Sequence, residues 1–370
     1  MYGLKQGGRR WYETLLELLT ELGFKRCEAD HAIFYKQNGT TLTVLVIYVD
    51  DCVITGNSSR EIEKTKRELH ERFKLTDMGP LSWMLGIAIT RDCAARTITL
   101  SQKSYINTIL SRCNFTSMTP CATPMDPNVV LSKDQSPQTE EDIEYMKNIP
   151  YRKCVGMLMW ANVGTHPDIA FAVSSLAQFN ENPGIAHWEG VKRVFRYLKG
   201  TREYELVYGK EKAGLVGYTD ADGSSQEHRR AISGFAFLID GGVVSWMSRK
   251  PELVVFSTTE AEYVAATHAA KEGIWLRRLI SEVFRPLTEP TTLHCDNQSA
   301  IALTKDGHFH ARTKHIDIRY HFIRYVVEDG SFVLVYCPTE DMAADLFTKP
   351  LPAPRLLSLV KALGLRVSAV

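Results

Sequence analysis

No Cys-x-x-Cys pair, internal repeat or low-complexity tract occurs in the 370 residues. The eight cysteines (27, 52, 93, 113, 121, 154, 295 and 337) are scattered, which excludes a dense disulfide framework and favours reduced thiols in an intracellular compartment. Long apolar runs are missing too. The longest, near Leu42 to Val49, is far short of a membrane span, and the start Met1-Tyr-Gly-Leu-Lys-Gln6 has no apolar signal core. Nor is one sign of charge in excess: 44 Lys plus Arg against 43 Asp plus Glu leave +1, so attraction to polyanions has to come from local clusters. What is present, 44% hydrophobic and 24% charged residues, is the composition of a folded protein with two or three domains.

Helix and strand signals alternate over the first 110 residues. Trp11, Leu15, Leu18, Leu19 and Leu22 recur at helical spacing and Gly23 follows as a stop. The apolar run Leu42 to Tyr48 and the shorter Cys52 to Thr55 flank Val49-Asp50-Asp51 and read as a buried hairpin. Ser58 and Glu61 have the spacing of a capping box, with Ile62, Leu69 and Phe73 on the inner face of the helix that follows.

Between Cys121 and Pro150 the composition shifts to Pro, Ser, Gln and acidic residues, the mark of a linker or long surface loop. Tyr151 to Arg202 is helical, and in its last helix Val191, Val194, Phe195 and Leu198 share one face. Beyond it the expected order is strand (215–219), strand (231–239), strand (243–247), long helix (260–280), strand ending at Asp296 and helix (297–304). A helix (313–329) closed by Gly330, a strand (332–336) and a helix (342–347) complete it. That order implies an α/β (α+β) fold with a mixed sheet flanked by helices.

Four carboxylates sit where these elements begin or end: Asp220, Glu260, Asp296 and Asp345. Three have a plain alternative: Glu260 completes a capping box with Ser257, and Asp220 and Asp296 are strand-end turn residues. Asp222 and Glu262 are near neighbours that could be mistaken for the set. Together, at the ends of adjacent strands, the four suit hard cations such as Mg²⁺, and two such ions clamp the oxygens of a phosphodiester displacement. Asp50 and Asp51 form a second acidic pair in the hairpin turn, of the kind that holds Mg²⁺ in polymerase chemistry or simply makes a tight turn.

The runs Tyr218-Thr-Asp-Ala-Asp222, Ser257-Thr-Thr-Glu-Ala-Glu-Tyr263, Cys295-Asp-Asn-Gln-Ser-Ala300, His310 to Ile323 and Ala344-Asp-Leu-Phe-Thr-Lys-Pro-Leu351 resemble the ribonuclease H domain of copia-type LTR retrotransposon Pol polyproteins. Tyr2 to Gln6, Trp11-Tyr12, Asp30 to Tyr35, Tyr48-Val-Asp-Asp51, Leu85-Gly-Ile87 and Leu100 to Tyr105 resemble the same family's reverse transcriptase, in the same order. Tyr151, Gly156, Pro167-Asp-Ile169, His187-Trp188 and Arg196 to Thr201 continue the match.

The resemblance implies a truncated palm and thumb-like region over 1–120, a linker over 121–150 and a helical connection over 151–205. A ribonuclease H-like domain over 206–350 and a C-terminal helix or tail over 351–370 follow. It implies Asp220, Glu260, Asp296 and Asp345 as ligands of two Mg²⁺ or Mn²⁺ ions, hydrolysis of the RNA strand of RNA/DNA hybrids, and Asp50 and Asp51 as a polymerase remnant. Partners would be the hybrid, template-primer nucleic acid and an upstream Pol segment, with no membrane; location would be cytoplasmic (particle-associated) or nuclear.

There are departures from the family pattern. Gly223 replaces the usual Trp, His166 replaces Arg before Pro-Asp, and no histidine lies between Cys337 and Asp341. The family's upstream metal-binding aspartate and fingers residues have no counterpart here, so no independent DNA synthesis is expected. The alternative is a catalytically silent nucleic-acid-binding relic or a host-adopted protein.

Lys192, Arg196 and Lys199 line one stripe of a helix, and Arg312, Lys314 and Arg319 flank or lie on another; both sets are candidate phosphate contacts, with a solvated helix face as the plain alternative for the first. His308, His310, His315 and His321 lack a standard zinc spacing.

Overall fold

The structure, a computed structural model, describes residues 6–209, 214–222, 231–250, 257–305 and 321–367. It divides into one unit of Met1–Leu81 with Ile274–Thr288, and another of Ser82–Gly273 with Glu289–Val370.

In the first unit, α1 (Gly7–Glu21) buries Leu15, Leu18 and Leu19, as their spacing predicts. It ends because Gly23 takes φ +82°. There the Gly23 amide donates to the Thr20 carbonyl at 3.0 Å and the Phe24 amide to that of Leu19 at 2.8 Å, the paired bonds of a Schellman cap. Strands β1 (Lys25–Arg26), β2 (Ile33–Asn38), β3 (Thr41–Tyr48) and β4 (Asp51–Gly56) form an antiparallel sheet in that order. Helix α2 (Ser59–Arg72) starts where the Ser58 hydroxyl accepts from the Glu61 amide. Leu19, Phe34, Leu45 and Leu69 make the centre of this unit's core. Residues 274–288 add Val283 against Cys27 and Val44, and the Glu282 carboxylate accepts from the Glu28 amide at 2.8 Å. Nothing in the sequence pattern announced that long-range addition.

The second unit opens with β5 (Trp83–Met84), β6 (Ile87–Asp92), β7 (Thr97–Ser101) and α3 (Lys103–Arg112). Next come α4 (Glu140–Lys147), α5 (Tyr151–Gly164), α6 (Ala170–Ala177), α7 (Ile185–Thr201) and β8 (Tyr204–Tyr208). Then follow β9 (Val216–Asp222), β10 (Ile232–Ile239), β11 (Gly242–Arg249), α8 (Thr258–Val283), β12 (Thr291–Cys295), α9 (Gln298–Lys305), α10 (Phe322–Glu328), β13 (Phe332–Tyr336), α11 (Ala353–Ala362) and β14 (Leu365–Val367). Helix α8 begins here, and its residues from Ile274 belong to the first unit.

Two sheets result. One has the order β11-β10-β9-β12-β13, antiparallel through its first three strands and parallel for β9-β12 and β12-β13, the mixed sheet that the element order predicts. The other, β14-β8-β7-β6-β5, is antiparallel throughout, so the C-terminal tail closes a sheet edge against β8. Helix α7 buries Val191, Val194, Phe195 and Leu198 completely in the main core.

Two local expectations change. Residues 121–150 are more than a loose connector: they contain a 3₁₀ turn (Lys133–Gln135) and α4, and Asp126 and Thr123 take up the Arg193 guanidinium of α7. The polar composition that reads as a linker supplies those tertiary partners. The last helix expected near residue 345 is a tight 3₁₀ turn, Ala343–Phe347, with every residue buried. The helix expected over 313–329 is seen only as α10, since 306–320 lie outside the described residues.

Beneath α7 is a buried polar network. His166, Asp168 and Tyr197 are each at most 2% exposed. The Tyr197 hydroxyl donates to Asp168 Oδ2 at 2.6 Å, and His166 Nδ1 lies 3.2 Å from Oδ1.

Candidate metal centre

The centre is built by strand register. In the parallel pair β9-β12, Tyr218 faces His294; carried two residues further, the same register sets Asp296 beside Asp220 at the C-terminal ends of these two interior strands. Asp345 arrives from above through the 3₁₀ turn, which lies on β10 at Gly234, the residue paired with Asp220. A Cβ on Gly234 would come within 2.7 Å of Phe347 Cβ and 2.8 Å of Thr348 Cγ2. Glycine is needed there so that the turn can descend far enough to present Asp345.

Asp220, Asp296 and Asp345 offer carboxylate oxygens within 4.8 Å of one another, and Glu262 joins through Asp296 in a second group that includes Cys295. Three of the four sequence-predicted residues are therefore brought together. Glu260 is in neither group. Its amide donates to Ser257 Oγ at 3.2 Å, so it occupies the capping position at the start of α8. Glu262, two residues on, is rotated about 200° around the helix and is only 5% exposed. The set the structure assembles contains Glu262 where the motif reading expected Glu260. The sequence held no signal that separates the two, because Ser257 caps the helix through the backbone amide of Glu260 and leaves the role of either side chain open.

The electrostatics fit cations. Burial, then the neighbouring Asp220 and Asp296 charges, push the Glu262 carboxyl well above its usual range, although the Ala221 amide hydrogen-bonds it. Burial and Asp220 push Asp345 up to about 7, with Lys349 and Arg355 opposing. Glu262 Oε2 is buried with no hydrogen-bond partner among the described residues. A divalent cation would satisfy that oxygen and relieve the crowding. Cys295 contributes a protonated thiol, since burial, then the Glu262 charge, raise it far beyond neutral pH. The available donors are thus hard carboxylate oxygens, which suit Mg²⁺ or Mn²⁺ better than a thiolate-seeking metal.

The other candidates have different settings. Asp50 and Asp51 are exposed at the β3-β4 turn, where Tyr48 pairs with Asp51. Val49 has φ +54°, costly for a β-branched residue because its Cβ crowds the backbone. Val49→Gly is expected to raise stability by about 1 kcal/mol in urea unfolding, which an unchanged midpoint would refute.

Lys192 pairs with Glu189; Arg196 Nε donates to the Thr119 carbonyl at 2.7 Å, and Lys199 Nζ to those of Thr116 and Met118 at 2.7 and 2.8 Å. Arg196 and Lys199 tie the segment after α3 to α7. Arg312, Lys314 and Arg319 fall outside the described residues, as do Gly223 and three of the four histidines, leaving His321, whose Nδ1 lies 3.0 Å from the Tyr263 hydroxyl.

The class that the fold defines is mixed α/β, with a four-stranded sheet whose turn carries an aspartate pair and a mixed sheet whose strand ends gather carboxylates. A family model described as reverse transcriptase (RNA-dependent DNA polymerase) matches residues 1–127. The chain is 41% identical over 354 residues to the retrovirus-related Pol polyprotein from transposon TNT 1-94 of Nicotiana tabacum, covering 95% of this chain and 27% of that one. It is 32% identical over 277 residues to a transposon Ty5-1 protein of Saccharomyces cerevisiae, covering 74% and 87%. A solved foamy viral protease-reverse transcriptase in complex with RNA/DNA hybrid covers 92% of this chain and 39% of its own at 14% identity, with a TM-score of 0.46.

The chain belongs to the copia-type retrotransposon Pol family. It spans about a quarter of the length of the Pol polyproteins it matches, 27% for the tobacco relative and 24% for transposon RE1 of Arabidopsis thaliana. Among the described residues no helix is long and apolar enough to cross a membrane.

Proposed function

We propose that this chain hydrolyses the RNA strand of an RNA/DNA hybrid at the Asp220, Glu262, Asp296 and Asp345 cluster. The observation that carries the reading is the convergence of Asp220, Asp296 and Asp345 within 4.8 Å, with Glu262 joined through Asp296. Divalent ions, when bound, supply an activated water and neutralise the leaving oxygen. The chain's own part is to fix the ligands. Thr339 Oγ1 donates to Asp296 Oδ2 at 3.0 Å, Thr348 Oγ1 donates to Asp220, and burial of Asp220 and Asp345 keeps bulk water from competing for their oxygens. Asp296, partly exposed, is the carboxylate nearest to solvent and hence to an incoming phosphodiester. A labelled hybrid with Mg²⁺ should be cut in its RNA strand by the wild type, with loss of cutting in EDTA and in Asp296→Asn; binding without cleavage would overturn the reading.

Polymerisation is a separate matter. Neither Asp50 nor Asp51 belongs to a group of three possible metal-holding side chains among the described residues.

One observation favours a catalytically silent protein instead: Asp345 is already engaged by the cationic side chains of Lys349 and Arg355. The same cleavage assay separates the two readings.

A further inference from the structure

Lys349 Nζ lies 2.8 Å from Asp345 Oδ1 and 3.6 Å from Asp220 Oδ2. Its ammonium therefore stands between two carboxylates of the proposed cluster, where a positive charge is wanted. The side chain is 28% exposed, so its stem is mostly covered while one route to solvent remains. Its backbone amide donates to the Asp345 carbonyl at 3.2 Å, which fixes its base one turn beyond Asp345. Arg355 is held differently: besides Asp345 it donates to the Thr339 carbonyl at 2.5 Å. The guanidinium is thus a fixed brace, whereas the ammonium ends a flexible four-carbon stem.

We propose that Lys349 is an internal counter-cation of the cluster, displaced when the cluster takes up a divalent ion. The inference rests on the hydrolytic reading above and deepens it, because it assigns this chain a residue that sets metal affinity. Without metal, the ammonium offsets the repulsion of Asp220 and Asp345. Asp220 and Asp345 would hold the ion, and the Lys349 ammonium, at the end of a flexible stem, would then move toward solvent. A monocation and a dication cannot share that space cheaply, since like charges a few ångströms apart repel strongly where solvent is scarce. Metal affinity is consequently lower than the carboxylates alone would give, and the apo cluster is stable enough to wait for its ions.

The test is Mn²⁺ titration of the full chain by calorimetry, with Lys349→Met and Lys349→Arg beside the wild type. Lys349→Met should bind Mn²⁺ about tenfold more tightly, while Lys349→Arg should bind no more tightly than wild type. Equal affinity in Lys349→Met and wild type overturns the role of Lys349 and leaves the hydrolytic reading standing. Absence of Mn²⁺ binding in both, with folded protein, removes the hydrolytic reading itself. Weaker binding in Lys349→Met also overturns the proposal, because the lysine would then be organising the ligands rather than competing with the ion.

Should Lys349→Met not fold, the wild type decides. In protein labelled with ¹³C-lysine, the Lys349 side-chain resonance, assigned by its loss in Lys349→Arg, should move on Mg²⁺ saturation. A resonance that stays in place while Mg²⁺ binds would overturn the proposal.

Discussion

Glu262→Gln is expected to reduce cleavage of the RNA strand by a hundredfold or more, roughly 2.7 kcal/mol or above in the barrier, whereas Glu260→Gln should retain activity within about threefold. The two glutamates are separated by one residue, and nothing in their composition tells them apart. Position on the helix does. Glu262 turns inward beside Asp296 and carries a buried oxygen with no hydrogen-bond partner among the described residues, while Glu260 takes the third position behind the Ser257 cap. Replacing the carboxylate deletes one oxygen donor to hard cations and changes little in volume, so protein stability in the absence of metal should hold or rise, since the group lost is one whose ionised form burial and the Asp220 and Asp296 charges disfavour. The matched measurement is hybrid cleavage in Mg²⁺ for both variants, together with thermal unfolding in EDTA. If Glu260→Gln were the inactive one, the cluster assigned here would be wrong.

The second large effect concerns stability. Asp168→Ala should cost about 3 kcal/mol, because it strands two buried partners at once. The Tyr197 hydroxyl loses its acceptor 2.6 Å away, and His166 Nδ1 loses the carboxylate at 3.2 Å. His166 Nε2 already has no hydrogen-bond partner among the described residues, so the ring would retain no satisfied nitrogen there. Tyr197→Phe, which removes one bond and leaves the His166–Asp168 pair in place, should cost only about 1 kcal/mol. Urea unfolding followed by far-UV circular dichroism gives both numbers; a loss below about 1 kcal/mol for Asp168→Ala would mean that the network does not brace α7. The histidine occupies a position where the family resemblance leads one to expect arginine. A guanidinium offers a planar fork to a carboxylate, whereas imidazole offers one donor at this angle, so the pair here is held by a single bond.

Much of the architecture was legible because local pattern and tertiary role coincide. The helical spacing of Leu15, Leu18 and Leu19, the stop at Gly23 and the capping serine at 58 each appear in the structure as the residues suggest. The alternation of strands and helices after residue 215 gave the mixed sheet for the same reason: hydrophobic period is a property of contiguous residues. Less legible were features made by distant segments. The return of residues 274–288 to the first unit, the pairing of β14 with β8, and the anchoring of 121–126 on Arg193 all depend on partners far along the chain. The basic stripe on α7 illustrates the limit well. Lys192, Arg196 and Lys199 read as free cations from sequence, yet each has an intramolecular partner, and two of them hold backbone carbonyls of a preceding segment.

By itself the amino-acid sequence determined the kinds of element, their order, the family and the identity of three carboxylates of the candidate centre, because each of these is carried by contiguous motifs. Tertiary structure alone decided which glutamate of Ser257 to Tyr263 completes the set and that Lys349 enters it. The reason is geometric: helix phase relative to the strand ends, and the depth to which the turn at Asp345 descends over Gly234, are fixed only once β9, β10 and β12 have locked in register.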